Sequence, residues 1–109
     1  PHNALNALAV TELLTAVRND SDLYRHFYSS LPEAGREGTL KNVFKDTIFD
    51  GRMRAKSGTI DRVRAYAGYI TAMSGRELVF CIIINNYTGP SSHQTEIISD
   101  ILKEFIQGY

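Results

Sequence analysis

Seven consecutive apolar residues, Leu78-Val79-Phe80-Cys81-Ile82-Ile83-Ile84, constrain this 109-residue chain more than any other feature. The run is far short of the ~18–20 residues of a membrane span. Its length suits a β-strand, whose side chains alternate between two faces. A strand that is apolar at every position is apolar on both faces, so both sides of its sheet must be covered.

The neighbouring sequence supplies the sheet and its covers. The pattern predicts strands over 52–60, 64–73 and 77–85, with Ser74-Gly75 as a tight turn before the third. Short connections between successive strands favour an antiparallel meander. Upstream, Leu23, Tyr24, Phe27, Tyr28 and Leu31 have the spacing of a helix lying on a core. Asp20, Ser21 or Asp22 caps that helix, and Pro32 stops it. A preceding helix is expected to start at Thr11, with Leu13, Leu14 and Val17 on one face, so the helical part covers about 11–31. Residues 32–50 read as loop, punctuated by Gly35, Gly38 and Gly51, with a short element around 40–44.

After a turn over 87–90, a last helix is expected at about 92–107. Ser91 and Gln94 form a candidate capping box. Its apolar stripe is Ile97, Ile98, Ile101, Leu102, Phe105 and Ile106. The sum is an α+β chain, an antiparallel β-sheet flanked by helices, forming one domain or part of a larger one over 1–109.

Charge excludes some functions. Twelve basic and twelve acidic residues cancel, so no global field favours nucleic acid or an anionic membrane. Arg52, Arg54, Lys56, Arg62 and Arg64 cluster locally, but Asp50 and Asp61 flank them. A solvated strand end or an anionic-substrate cleft fits better than a nucleic-acid footprint. His2, His26 and His93 lack metal-ligand spacing, and no Gly-Lys-Ser/Thr follows Gly35 and Gly38, so no metal site and no cofactor loop is read. Cys81, the single cysteine, reads as a small buried hydrophobe. Tyr66 and Tyr69 read as core or cleft wall.

The stretch Arg52-Met53-Arg54-Ala55-Lys56-Ser57-Gly58-Thr59-Ile60 offers chemistry. Alternation sets Arg52, Arg54, Lys56 and Gly58 on one face and Met53, Ala55, Ser57 and Thr59 on the other. An ammonium attracts a carboxylate, a hydroxyl donates to it, and a glycine admits a substrate backbone. The tripeptide alone is common. Its surroundings are not.

Residues 51–60 resemble the Lys-Thr/Ser-Gly strand of the S13-type D-alanyl-D-alanine carboxypeptidases, the penicillin-binding protein 4 group. Upstream, Leu31-Pro32-Glu33-Ala34-Gly35-Arg36-Glu37-Gly38-Thr39-Leu40 is similar to that family's Leu-Pro-x-Ala-Gly-x-x-Gly-Thr-Leu segment. Downstream, Ala67-Gly68-Tyr69-Ile70-Thr71, the Ser74-Gly75-Arg76 turn and Leu78-Val79-Phe80 resemble its next two strands. Three blocks in order cover about residues 10–86.

The resemblance implies the C-terminal part of a β-lactamase/transpeptidase-like, penicillin-binding domain. Lys56 would attract the substrate carboxylate and assist proton traffic. Ser57 would hydrogen-bond that carboxylate, and Gly58 would admit the peptide. The backbone N–H of Thr59 would form half of an oxyanion hole. The expected partners are peptidoglycan peptides and β-lactams, in a periplasmic or extracytoplasmic setting.

Of the three motifs of related serine acyl enzymes only Lys-Thr-Gly has a counterpart here, with Ser57 for Thr. No Ser-x-x-Lys and no Ser-x-Asn occurs in the sequence, so those elements are expected upstream of Pro1. The resemblance also implies that the last strand pairs with an N-terminal strand lying there. Without it, strand 77–85 is an exposed apolar edge, which leads to the expectation of a homodimer through it. The alternative reading of the whole chain is a non-catalytic small α/β binding or dimerisation module.

Overall fold

The apolar run does become a strand with helices on both faces, although Phe80 alone of its seven residues is fully buried. The computed structural model describes residues 7–33, 35, 47–49, 51–60, 63–84 and 91–109, without the side chains at 47, 59, 60 and 91–95. The elements are α1 (Ala7–Arg18), α2 (Ser21–Ser30), a single 3-10 turn (Thr47–Phe49), β1 (Met53–Ile60), β2 (Val63–Thr71), β3 (Glu77–Ile84) and α3 (Ser91–Gly108). The three strands form one antiparallel sheet in the order β1-β2-β3.

Each sheet face has its own core. On one, Met53 and Ala55 of β1, Tyr66 and Ile70 of β2 and Phe80 of β3 pack with Ile98, Leu102 and Ile106 of α3, and Phe49 joins them. On the other, Tyr69 packs with Leu14 of α1 and Leu31, and Ala67 and Val79 lie against the same cluster. A side chain such as Leu102, 1% exposed, contributes about 1.5–3 kcal/mol by leaving water.

Local chemistry sets the boundaries. Asp20 is the cap of α2, its carboxylate accepting from the Leu23 N–H at 3.0 Å. Leu31 closes the helix, as expected before Pro32. Gly75 takes φ +91° in the β2–β3 turn, where its N–H donates to Ala72 O at 2.9 Å.

Three expectations need correction. The first helix starts at Ala7, so Thr11 lies inside it, and its hydroxyl donates back to Leu8 O rather than capping. The earlier start brings Val10 onto the packed face beside Leu14 and leaves Leu13 65% exposed. In α3 the buried row is Ile98, Leu102 and Ile106, spaced four apart. Ile97 and Ile101 sit about 100° around the helix from it and are exposed. Leu23 falls off the α2 stripe for the same reason. Strand ends differ from expectation by one or two residues. The expected element at 40–44, the turn at 87–90 and the Ser91–Gln94 capping box lie outside what is described.

The helical hairpin is tied to the sheet by polar contacts as well as packing. The Tyr69 hydroxyl donates to Leu14 O at 2.7 Å in a buried setting. Glu77, at the start of β3, accepts from Arg18 Nε at 2.5 Å and from the Tyr24 hydroxyl. Burial, then the hydrogen bond to Glu77, hold the Tyr24 phenol well above its ordinary value. Tyr24→Phe is expected to cost about 1 kcal/mol in urea denaturation at pH 7. Because the shift is upward, this contribution is whole below pH 10 and is lost as pH rises past it. A flat alkaline profile, identical in the two proteins, would contradict the assignment.

Gly68 marks the closest approach within the sheet. A Cβ there would stand 2.2 Å from Arg54 O and 2.6 Å from Ala55 Cα, both backbone atoms that yield only if β1 moves. Gly68→Ala is therefore expected to destabilise by roughly 1–3 kcal/mol. A denaturation midpoint within error of the parent would show that β1 gives way freely.

Candidate functional site

The site is built on the outer edge of β1, and the ladder decides which groups face outward. Arg52 O accepts from Thr71 N–H at 2.8 Å, so the even-numbered residues of β1 turn their main-chain groups toward β2. Ala55 N–H points the other way and donates to Pro32 O at 3.1 Å. By the same alternation, the N–H and C=O of Ser57 and Thr59 are directed away from β2.

Side chains follow the opposite alternation. Lys56 projects from the sheet face that carries α1 and α2. It is exposed and makes no hydrogen bond or ion pair to a described residue. Ser57, cross-strand from Tyr66, lies on the α3 face and is half-buried. The edge thus gathers the main chain of Ser57 and Thr59, while the Lys56 and Ser57 side chains leave on opposite faces. Gly58 is exposed, and a Cβ there would meet no described atom within 4 Å. The contrast with Gly68 is informative, because described neighbours crowd Gly68 and leave Gly58 open.

The sequence reading missed what closes the other end of this edge. Residues 31–33 cross β1 as a strap, and Glu33 forms an isolated antiparallel bridge with Arg54. The Arg54 guanidinium donates to Leu31 O at 3.0 Å, reaches Ser29 O and a Glu33 carboxylate oxygen at 3.5 Å each, and lies 5.2 Å from the Tyr28 ring centroid. A pocket of about 190 Å³, lined by Tyr28, Glu33, Gly51, Met53 and Arg54, sits at the strap. Partners 21 residues apart leave no local pattern to read.

The other arginines of the local cluster do separate work. Arg52 Nη1 donates to Ala72 O at 3.1 Å, joining the start of β1 to the β2–β3 turn. Arg64 stacks 5.8 Å from the Tyr66 ring centroid, while its buried Nε and Nη1 find no hydrogen-bond partner among the described residues. Arg62 lies outside them. Tyr66 and Tyr69 are each 1% exposed and belong to the two cores. Cys81 is half-buried, and burial pushes its thiol up. Among the described residues no three His, Cys, Asp or Glu side chains gather where a metal would bind, and no helix is long and apolar enough to cross a membrane.

Known proteins are similar to this chain in sequence and in fold. The chain is 38% identical over 94 residues to carboxypeptidase DacB of Mycolicibacterium smegmatis, covering 82% of this chain and 20% of the relative. It is 40% identical over 68 residues to a D-alanyl-D-alanine carboxypeptidase of Actinomadura sp., covering 58% of this chain and 12% of the relative. The chain therefore spans a fifth or less of the length of these curated relatives. Its fold matches that of penicillin binding protein 4 (dacB) from Haemophilus influenzae with a TM-score of 0.84, at 19% identity, over 94% of this chain and 24% of that one. The family model of the D-Ala-D-Ala carboxypeptidase 3 (S13) peptidases matches residues 1–105, and the chain belongs to that family.

Proposed function

We propose that this chain is one wall of the active site of a serine-type D-Ala-D-Ala carboxypeptidase or endopeptidase that acts on peptidoglycan stem peptides. The observation that carries the reading is the outward N–H of Thr59 at the end of Lys56-Ser57-Gly58, on an edge strand of a family member. A serine supplied from outside this chain attacks the scissile carbonyl and forms an acyl-enzyme. The Thr59 N–H donates to the oxygen that becomes negative, a contribution worth roughly 3 kcal/mol when one such donor is removed. Lys56 supplies positive charge toward the terminal carboxylate and the nucleophile. The Ser57 hydroxyl donates to the carboxylate, and the open side of Gly58 admits the peptide. β-Lactams acylate the same serine. The setting is extracytoplasmic, or periplasmic, where these peptides are.

With neither Ser-x-x-Lys nor Ser-x-Asn in its sequence, the chain by itself is expected to be inactive. In the full-length parent, Lys56→Ala is expected to slow acylation by a fluorescent penicillin roughly a hundredfold. Unchanged labelling and turnover would remove Lys56 from the mechanism.

A second reading concerns self-association through the edge strand β3. Ala72 N–H donates to Arg76 O at 2.7 Å, so by alternation Val79, Cys81 and Ile83 turn their main-chain groups outward from β3. A groove of about 300 Å³ runs there between Thr11 of α1 and Ile101 and Phe105 of α3. A strand entering it is covered on both faces and so must be apolar on both, as β3 itself is. The isolated chain is expected to dimerise β3 to β3. A clean monomer by light scattering at high concentration would rule this out.

A further inference from the structure

We infer that the strap at residues 31–33, locked by Arg54, is the stop that ends the peptide groove and limits how far a substrate runs past its scissile bond. The inference rests on the carboxypeptidase reading above and names the residues that set its specificity.

The argument follows hydrogen bonds along one edge. With the scissile carbonyl at the Thr59 N–H and the carboxylate near Ser57, the peptide's C-terminus points toward Ala55. Strand residues advance about 3.3 Å each, so Thr59 and Ser57 are roughly 7 Å apart. A carboxylate one residue past the scissile carbonyl stands about 3.3 Å along that line, between the two. The next outward N–H is that of Ala55, and Pro32 O already occupies it at 3.1 Å. Glu33 then bridges Arg54, so the edge beyond is covered by the chain itself.

Ala55 lies four residues, roughly 13 Å, from Thr59, so a substrate running four residues past its scissile bond would have to displace Pro32 and Glu33. Arg54 resists this. It holds the strap through Leu31 O, Ser29 O and the Glu33 carboxylate, with its guanidinium 23% exposed and Glu33 20% exposed. The ion pair also offsets the charge of Glu33, which would otherwise repel a carboxylate arriving from Ser57. Arg54 is therefore a positioning residue. It touches no substrate and acts by fixing the strap.

The test uses the full-length parent and two synthetic peptides, one ending in D-Ala-D-Ala and one carrying three added glycines after it. Cleavage of the same D-Ala–D-Ala bond is followed in both. The added glycines are expected to lower kcat/KM roughly a hundredfold in the unaltered enzyme. In Arg54→Gln the ratio between the two peptides is expected to narrow to about tenfold or less, with Arg54→Lys between the two. Equal rates on both peptides in the unaltered enzyme overturn the inference. So does an unchanged ratio in Arg54→Gln that still takes up fluorescent penicillin, because a merely structural role lowers both rates together. Should Arg54→Gln fail to fold, Glu33→Gln reads the same ratio. A parent that cleaves neither peptide and takes up no penicillin points instead to failure of the carboxypeptidase reading itself.

Discussion

The buried hydrogen bond from Tyr69 to Leu14 O is the contact through which the two halves of this chain are registered. Tyr69 sits on the central strand, so its position is fixed by both neighbours. Its ring meets Tyr24 edge-on at 5.1 Å and lies 6.3 Å from Phe27 and 6.1 Å from Tyr28. A buried hydroxyl without an acceptor is costly, so α1 must offer that carbonyl at that place. Once α1 and α2 are fixed over β2, Tyr28 and Leu31 stand where Arg54 reaches them. The strap on β1 is thus a consequence of a contact on β2.

The candidate site uses the backbone more than the side chains. An antiparallel edge strand offers main-chain groups at every second residue, and the same alternation sends neighbouring side chains to opposite faces. The Lys56 and Ser57 side chains consequently leave on different sides of the sheet, with the outward main chain between them. At position 58 a Cβ would meet no described atom within 4 Å, so the strand is open there.

Much of this was legible in the sequence where the causes were local. The run at 78–84, the Ser74-Gly75 turn, the Asp20 cap and Pro32 each act within a few residues, and each appears where expected. Lys56, Ser57, Gly58 and Thr59 were legible as a strand with the right alternation, and the blocks around them pointed to the family. What escaped the sequence depends on distant partners. The start of α1 at Ala7 was missed in favour of Thr11, and with it Val10, which packs against a cluster that only the fold assembles. The Arg54–Glu33 clamp and the close approach at Gly68 join segments that only the folded chain brings together, and Gly68 was read merely as part of a family block.

The β2–β3 turn has a practical consequence for handling this domain. Met73 N–H donates to Ile106 O at 2.9 Å, and the Ser74 hydroxyl donates to Tyr109 O at 2.6 Å. These bonds employ carbonyls that the end of α3 would otherwise leave to water. They also anchor Tyr109 at the end of the sheet where β1 begins. Thr59 lies six residues along that strand from Met53, roughly 20 Å away at strand rise. A dye, affinity handle or surface linkage attached at Tyr109 therefore sits at the end of β1 away from Thr59.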